Sequence, residues 1–179
     1  DTDLSDGLYQ QDLVNIDTMV HWIEYTFTPK ILNGSGNGNT CEKGISQIVR
    51  VIVNPQPRIF VEPTADTICF DEGIVFDVST GNGPIQGNWG YDVAVTGGSD
   101  LDMIENESGD TDLSEGPYQQ DLVNIDTSVH WIEYTFTPKI INPSTFAAYC
   151  VNGLEQIVRV IVNPQPRVFV QPTADTICY

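Results

Sequence analysis

The stretch Trp131-Ile132-Glu133-Tyr134-Thr135-Phe136 decides the fold class of this chain. In an extended strand successive side chains point to opposite faces, so Ile132, Tyr134 and Phe136 share one face and the other three residues share the second. We predict a β-strand here, with the first set in a hydrophobic core. Trp131 then lies on the outer face of the sheet.

Working outward, the same period-two pattern or short β-branched blocks recur between Gly, Asn, Asp and Pro residues, and almost no stretch has helical periodicity. We therefore predict an all-β protein. Trp89, Tyr91 and Val93 share one side of their strand, and Trp89 is placed like the core tryptophan of immunoglobulin-like sandwiches. Strands are predicted near residues 59–61, 74–78, 88–95, 118–123, 129–139 and 156–162, with core faces Ile74, Phe76, Val78 and Val158, Val160, Val162, and with Arg159 facing solvent.

The chain contains an internal repeat. Residues 1–70 and 110–179 align without a gap at an offset of 110 − 1 = 109 residues, and 17 of the 70 pairs differ, which leaves 70 − 17 = 53 identical pairs. This period is longer than the units of solenoids and matches the size of one sandwich domain. The repeating object is therefore predicted to be a whole domain, and the chain to be a window on a longer array.

Domain boundaries are placed at the two proline-rich segments, residues 54–58 and 163–167, which read Asn-Pro-Gln-Pro-Arg in both copies. Two prolines within four positions cannot donate sheet hydrogen bonds and favour a stiff, extended connection. The prediction is that residues 1–57 are the C-terminal part of one domain, residues 58–166 a complete domain, and residues 167–179 the first strand of a following domain.

Charge excludes two classes of partner. Seven Lys and Arg against 25 Asp and Glu give a formal charge of −18, whereas nucleic acids and anionic membranes attract basic surfaces. No apolar run approaches the ~20 residues that span a bilayer, so no membrane insertion is expected in this window.

The four cysteines occupy two equivalent places per repeat, Cys41 with Cys150 and Cys69 with Cys178. None has CxxC or zinc-like spacing, which favours a disulfide over a metal site. Within the complete domain the available pair is Cys69 with Cys150. If Cys69 lies in the first turn and Cys150 in the last hairpin, the two fall at opposite ends, and the alternative is a bridge between neighbouring domains.

Several motifs together resemble a known family. They are Leu122-Val123-Asn124, the strand from Trp131 to Pro138, a loop with Cys150 and Gly153, the strand and linker from Ile157 to Pro166, and Asp175-Thr176-Ile177-Cys178. This combination resembles the PKD-like domains that occur in tandem in giant surface proteins of Bacteroidota. The resemblance implies an extracellular, non-enzymatic β-sandwich module of a cell-surface adhesin or stalk, exported by the type IX secretion route and associated with adhesion or gliding motility.

Two kinds of modification or ligand are considered. An acidic cluster suggests calcium at Asp110 and Asp112, against the alternative of a solvated loop, because Glu115 stands where an EF-hand loop requires glycine. In the resembled group of bacteria, Asp-Thr-aliphatic triplets carry O-linked sugars, which makes Thr18, Thr67 and Thr176 candidates for a glycoprotein. The alternative is that Asp and Thr only stabilise a turn. No other cofactor is expected.

Three functions are compared. The first is a structural and adhesive repeat that forms a stiff stalk, with neighbouring repeats of the same chain as partners. The second is a module that binds surface glycans or proteins through Trp22 or Trp131 and the variable loop, residues 34–40 or 143–149. The third is an accessory domain of a secreted hydrolase. No catalytic motif surrounds His21 or His130, so we expect structural histidines and no enzyme.

Overall fold

The computed structural model describes residues 8–31, 43–97, 101–103, 113, 114 and 116–171, and every regular element in these ranges is a β-strand. The predicted all-β class is confirmed. In chain order the strands are β1 (His21–Phe27), β2 (Gln47–Val53), β3 (Ile59–Glu62), β4 (Ala65–Ile68), β5 (Asp71–Thr80), β6 (Asn88–Gly97), β7 (Leu101–Met103), β8 (Leu113–Ser114), β9 (Tyr118–Asn124), β10 (His130–Ile141), β11 (Ala148–Cys150) and β12 (Gln156–Val162).

Strands β3 to β12 form two sheets. One has the order β4-β12-β10-β6-β8, with β11 paired to the end of β10, and the other has the order β3-β5-β9-β7. All of these pairings are antiparallel except β12 with β4. The chain therefore changes sheet between β3 and β4.

The hydrophobic core lies between the two sheets. Phe76 on β5 packs edge to face against Tyr134 on β10 at a centroid distance of 5.0 Å, and Tyr118 on β9 meets Phe136 at 5.9 Å. Such aromatic contacts add to the energy of area burial. The core faces predicted from alternation are confirmed, because all nine of these side chains are buried: Ile74, Phe76, Val78, Ile132, Tyr134, Phe136, Val158, Val160 and Val162.

One polar pair is buried in this core. The Tyr134 hydroxyl donates a hydrogen bond of 2.5 Å to the Gln120 side-chain oxygen, and both residues are fully buried. Burial raises the pKa of Tyr134, because the phenolate would lose its hydration. The phenol therefore stays protonated and acts as a hydrogen-bond donor that links β10 to β9.

The first repeat contributes a separate two-stranded sheet, β1 with β2. Its register is that of β10 with β12: His21 pairs with Val53 as His130 pairs with Val162. The surroundings differ, because no strand of the described ranges covers this pair. Phe27 is 40% exposed, whereas its counterpart Phe136 is fully buried. The same sequence thus forms the same ladder with and without a core.

Four short strands and one tryptophan differ from the sequence-based expectation. Residues 65–68 were expected in a turn but form β4, and β7, β8 and β11 were not predicted. Each is only two to four residues long, too short for alternation to be detected. Trp89 is only partly buried at the margin of the core, while Tyr91 and Val93 are buried as predicted.

Candidate functional site at the junction between the two repeats

The first repeat meets residues 58–166, which we predict to be a complete domain and call so below, through hydrogen bonds between loops. Residues 15–20 and the linker, residues 54–57, face two loops of the complete domain, residues 81–86 and 151–155. We call this contact the junction. Its hydrogen bonds run from Val20 N to Pro84 O (2.8 Å), Gly83 N to Thr18 O (2.9 Å), Asn54 Nδ2 to Gln86 O (2.9 Å), Gln86 N to Asn54 Oδ1 (2.8 Å), Gln56 Nε2 to Asn152 O (2.8 Å), Asn82 Nδ2 to Gln56 O (3.0 Å) and Leu154 N to Pro57 O (2.9 Å).

The loop at residues 15–20 is shaped by its own side chains before it contacts the domain. The Asn15 amide donates to the carbonyls of Met19 (2.8 Å) and Val53 (2.9 Å), which fixes the loop to the end of β2. The Asp17 carboxylate accepts from the Thr18 backbone N–H, and its other oxygen lies 2.8 Å from His21 Nε2. Local bonds of this kind favour a turn over regular structure.

The second repeat contains the same loop. The Asn124 amide donates to the carbonyls of Ser128 and Val162, and Asp126 contacts both the Thr127 N–H and His130. The Thr127 backbone N–H and the His130 ring keep the pKa of Asp126 below its usual value. At neutral pH this carboxylate is therefore ionised and holds the loop. Both histidines thus have a structural contact, in line with the expectation from sequence.

The prolines of the linker are packed rather than exposed. Pro55 and Pro57 are buried at the junction, whereas the corresponding Pro164 and Pro166 are half-buried and exposed. The difference arises because a domain follows the first linker within the described residues. The linker is therefore part of an interface as well as a stiff connection.

Gly83 permits a close approach across the junction. A Cβ at this position would lie 2.6 Å from Cγ of Met19, closer than real Cβ atoms approach a neighbour. The missing side chain allows the Gly83 N–H to reach the Thr18 carbonyl. In the second repeat Met19 is replaced by Ser128, so the corresponding side chain is smaller.

Sequence analysis identified the linker but not the other junction residues. Asn82 and Gln86 lie in the stretch 71–109, which has no second copy for comparison. On the other side Asn15, Asn54 and Gln56 are identical in both repeats, but so are 53 of the 70 aligned pairs, and identity alone therefore does not mark these residues.

The predicted disulfide between Cys69 and Cys150 is not present in the structure, where both residues are free thiols. Cys69 follows Ile68, which pairs with Val162 opposite His130, whereas Cys150 pairs with Ile140. The two thiols are thus separated along β10 by 140 − 130 = 10 residues, about 34 Å at about 3.4 Å per residue. A disulfide requires Cα atoms within about 7 Å, so a bond within one domain is ruled out by this geometry.

The two outward tryptophans are covered on one face. The Arg159 guanidinium lies 4.6 Å above the Trp131 ring and donates to Glu133 (2.9 Å), and Arg50 lies 4.4 Å above Trp22 in the same way. Trp22 and Trp131 remain 58% and 45% exposed. This stacking of arginine on tryptophan gives both tryptophans a structural partner and leaves a smaller exposed aromatic surface for a ligand.

The remaining candidate residues, those for calcium and for sugars, have different outcomes. Asp110, Asp112 and Thr176 lie outside the described residues. Thr67 is exposed on β4, at the edge of its sheet, and its backbone N–H donates to Asp66, whereas Thr18 is half-buried and its carbonyl is bonded at the junction. Thr67 therefore remains the accessible candidate for a sugar. The aspartate-to-N–H bond expected of a simple turn is present at both positions.

The second copy of the variable loop is described, whereas residues 34–40 are not. Phe146 and Tyr149 are exposed, and Phe146 has a positive φ of 58°. Within the described ranges no group of three or more His, Cys, Asp or Glu side chains is placed to hold a metal ion. The same part of the chain contains no helix with the length and apolarity needed to cross a bilayer.

Comparison with known proteins adds little. No family model matches the chain, and no curated protein matches it. Among solved structures the chain is similar to WR4, a C. elegans MSP family member, with 9% identity and a TM-score of 0.35 over 58% of this chain and 96% of that one. At this score the likeness carries no inference. The structure itself shows an all-β protein with two packed sheets and a hydrogen-bonded junction.

Proposed function

We propose that the chain is a stiff, non-enzymatic segment of tandem immunoglobulin-like, PKD-like domains in a large extracellular surface protein, where it holds an adhesive end away from the cell. The observation that supports this most is the junction. Its hydrogen bonds join two separate segments of the first repeat, the loop at residues 15–20 and the linker, to two loops of the complete domain, so a hinge motion at the linker would have to break several of them.

The junction can be repeated. Thr127, Asn163 and Gln165 at the far end of the complete domain correspond to Thr18, Asn54 and Gln56, which contact that domain at its near end. A head-to-tail contact of this type joins two different surfaces and does not close on itself unless the rotation per step allows a ring. Successive domains would therefore extend in a line.

The charge of the chain fits this role. A formal charge of −18 makes neighbouring segments repel one another, which opposes lateral association of the stalk. Cations lie beside acids on the strands, as in Arg159 with Glu133 and Lys139 with Asp92 at 2.5 Å. The remaining acidic residues are thus left to face solvent.

A chain with two complete domains tests the proposed stiffness. We would join a copy of residues 58–109 in front of Asp1, so that it continues into Asp1 as residue 109 continues into Asp110; we call this the extended chain. With every native cysteine of the extended chain replaced by serine, the added copy of Cys69 included, spin labels at Ile48→Cys and Ile157→Cys mark equivalent exposed positions in the two domains. Pulsed electron spin resonance is expected to give one narrow distance distribution.

Asn82→Ala provides the perturbation and its matched control. At the junction this variant loses the bond from Asn82 to Gln56, worth about 1 kcal/mol, so the distance distribution is expected to broaden. The same substitution in the added copy of Asn82, at the free end, is expected to leave the distribution unchanged. A distribution that is already broad without any substitution would contradict the proposal of a stiff stalk.

A further inference from the structure

Cys150 lies at the junction and not at the surface of an isolated domain. Cys150 lines an open crevice together with Tyr149, Asn15 and Asn54. Two contacts place it there: the Asn54 side chain is bonded to Gln86, and the next residue, Gly87, approaches Tyr149 closely, since a Cβ on Gly87 would be 3.4 Å from that ring. The crevice is therefore formed by residues of both repeats.

Cys69 lies at the other end of the complete domain, in a turn held by two asparagines. The carbonyl of Ile68 accepts from the Asn163 backbone N–H at 3.0 Å, and the carbonyl of Phe70 accepts from the Asn124 N–H at 2.8 Å. The Cys69 side chain between these two carbonyls is exposed. Asn163 and Asn124 thus mark the position of this cysteine at the end of a domain.

The internal repeat relates the surroundings of Cys69 to the crevice beside Cys150. With the offset of 109 residues, Asn163 corresponds to Asn54 and Asn124 corresponds to Asn15, and both counterparts line the crevice beside Cys150. The loop and ladder around Asn15 are the same as those around Asn124. When a complete domain precedes residue 58, we therefore expect its Cys69-type turn to be bonded to Asn15 and Asn54, which would place that cysteine beside the crevice that Cys150 lines.

We propose that these cysteines form a disulfide across each junction, from the Cys69 position of one domain to the Cys150 position of the next. The proposal rests on the tandem arrangement put forward above. Each thiol loses its proton, one S–S bond forms, and the two electrons pass to an external disulfide such as oxidised glutathione, which leaves as two thiols. Cys69 would then pair with the Cys150-type residue of a following domain.

Such a bridge would give the array two properties that hydrogen bonds alone do not provide. It would keep consecutive domains in register under load, because separating them would require breaking a covalent bond. It would also fix each domain to its proper neighbour, which matters because near-identical tandem domains misassemble with each other during folding. It further explains why every repeat has two cysteines that cannot reach each other within one domain.

The experiment uses two variants of the extended chain, each with two cysteines. In the first, the added copy of Cys69 and Cys150 are kept, and every other cysteine is serine. In the control, the original Cys69 and Cys150 are kept, and the added copy carries serine. Both are equilibrated with reduced and oxidised glutathione at mildly alkaline pH, because burial raises the pKa of the Cys150 thiol.

Non-reducing peptide mapping and counting of free thiols by mass give the result. We expect most of Cys150 to be linked to the added cysteine in the first variant, and Cys150 to stay unlinked to Cys69 in the control. Equal linkage in both variants would overturn the proposal, as would free Cys150 in a first variant whose two domains both melt cooperatively. In that last case the tandem arrangement would stand without the bridge. Failure of the added domain to fold would overturn both the tandem arrangement and the disulfide.

Discussion

Phe136→Ala is expected to lower the free energy of unfolding of the complete domain by about 3–5 kcal/mol, whereas Phe27→Ala, the same change in the first repeat, should lower it by less than about 1 kcal/mol. Phe136 is fully buried and contacts Phe76, Tyr91 and Tyr118, so truncation leaves a cavity between the sheets. Phe27 is 40% exposed, and solvent can fill the space that its ring leaves.

Urea unfolding of the full chain, followed by tryptophan fluorescence, measures both variants in the same background. Because the two residues have the same identity and the same place in the repeat, intrinsic strand propensity cancels in the comparison. Similar losses of unfolding free energy for the two variants would mean that the first repeat shares the core of the second. That result would contradict the separate β1–β2 sheet described above.

Gly153→Ala is expected to lower the free energy of unfolding by about 2–3 kcal/mol, a large effect for the addition of one methyl group. A Cβ on Gly153 would lie 2.0 Å from the Pro138 carbonyl oxygen, and that contact is with backbone, which cannot rotate away. The strained loop leads into Gln156, whose amide bonds both the N–H and the carbonyl of Val61 and so joins β12 to β3. Displacement of the loop would weaken this link.

Gly44→Ala is the matched control for Gly153→Ala. Gly44 has the same close contact, 2.1 Å from the Pro29 carbonyl oxygen to the added Cβ, but it precedes the uncovered strand β2. The unfolding transition of the complete domain should therefore be unchanged by Gly44→Ala. If Gly153→Ala is also neutral in urea unfolding, the close approach to Pro138 has no structural consequence.

The sequence allowed the large strands and their faces to be predicted. In residues 132–136 and 156–162 every second side chain is apolar, so only one face of each strand can be buried. The short strands could not be predicted in this way. β4 has a single buried residue, Ile68, and the residues that it pairs with on its parallel partner β12 are 159 − 65 = 94 positions away, so its pairing depends on tertiary contacts.

The junction and the cysteines show a different limit. Asn82 and Gln86 act through hydrogen bonds to another repeat, and such partners leave no periodic pattern in the residues themselves. Cys69 and Cys150 were paired in the prediction because they were the two cysteines of one domain. The separation of about 34 Å follows from strand register, which composition and spacing do not contain.

The most direct test of this account is a calorimetric melt of residues 58–166 and of residues 1–57, each as a separate fragment. We expect one cooperative transition for residues 58–166, with an unfolding enthalpy of about 75 kcal/mol near 60 °C by the usual scaling with chain length. No transition is expected for residues 1–57, because β1 and β2 lack the strands that cover their counterparts. Cooperative melting of residues 1–57, or no transition for residues 58–166, would contradict it.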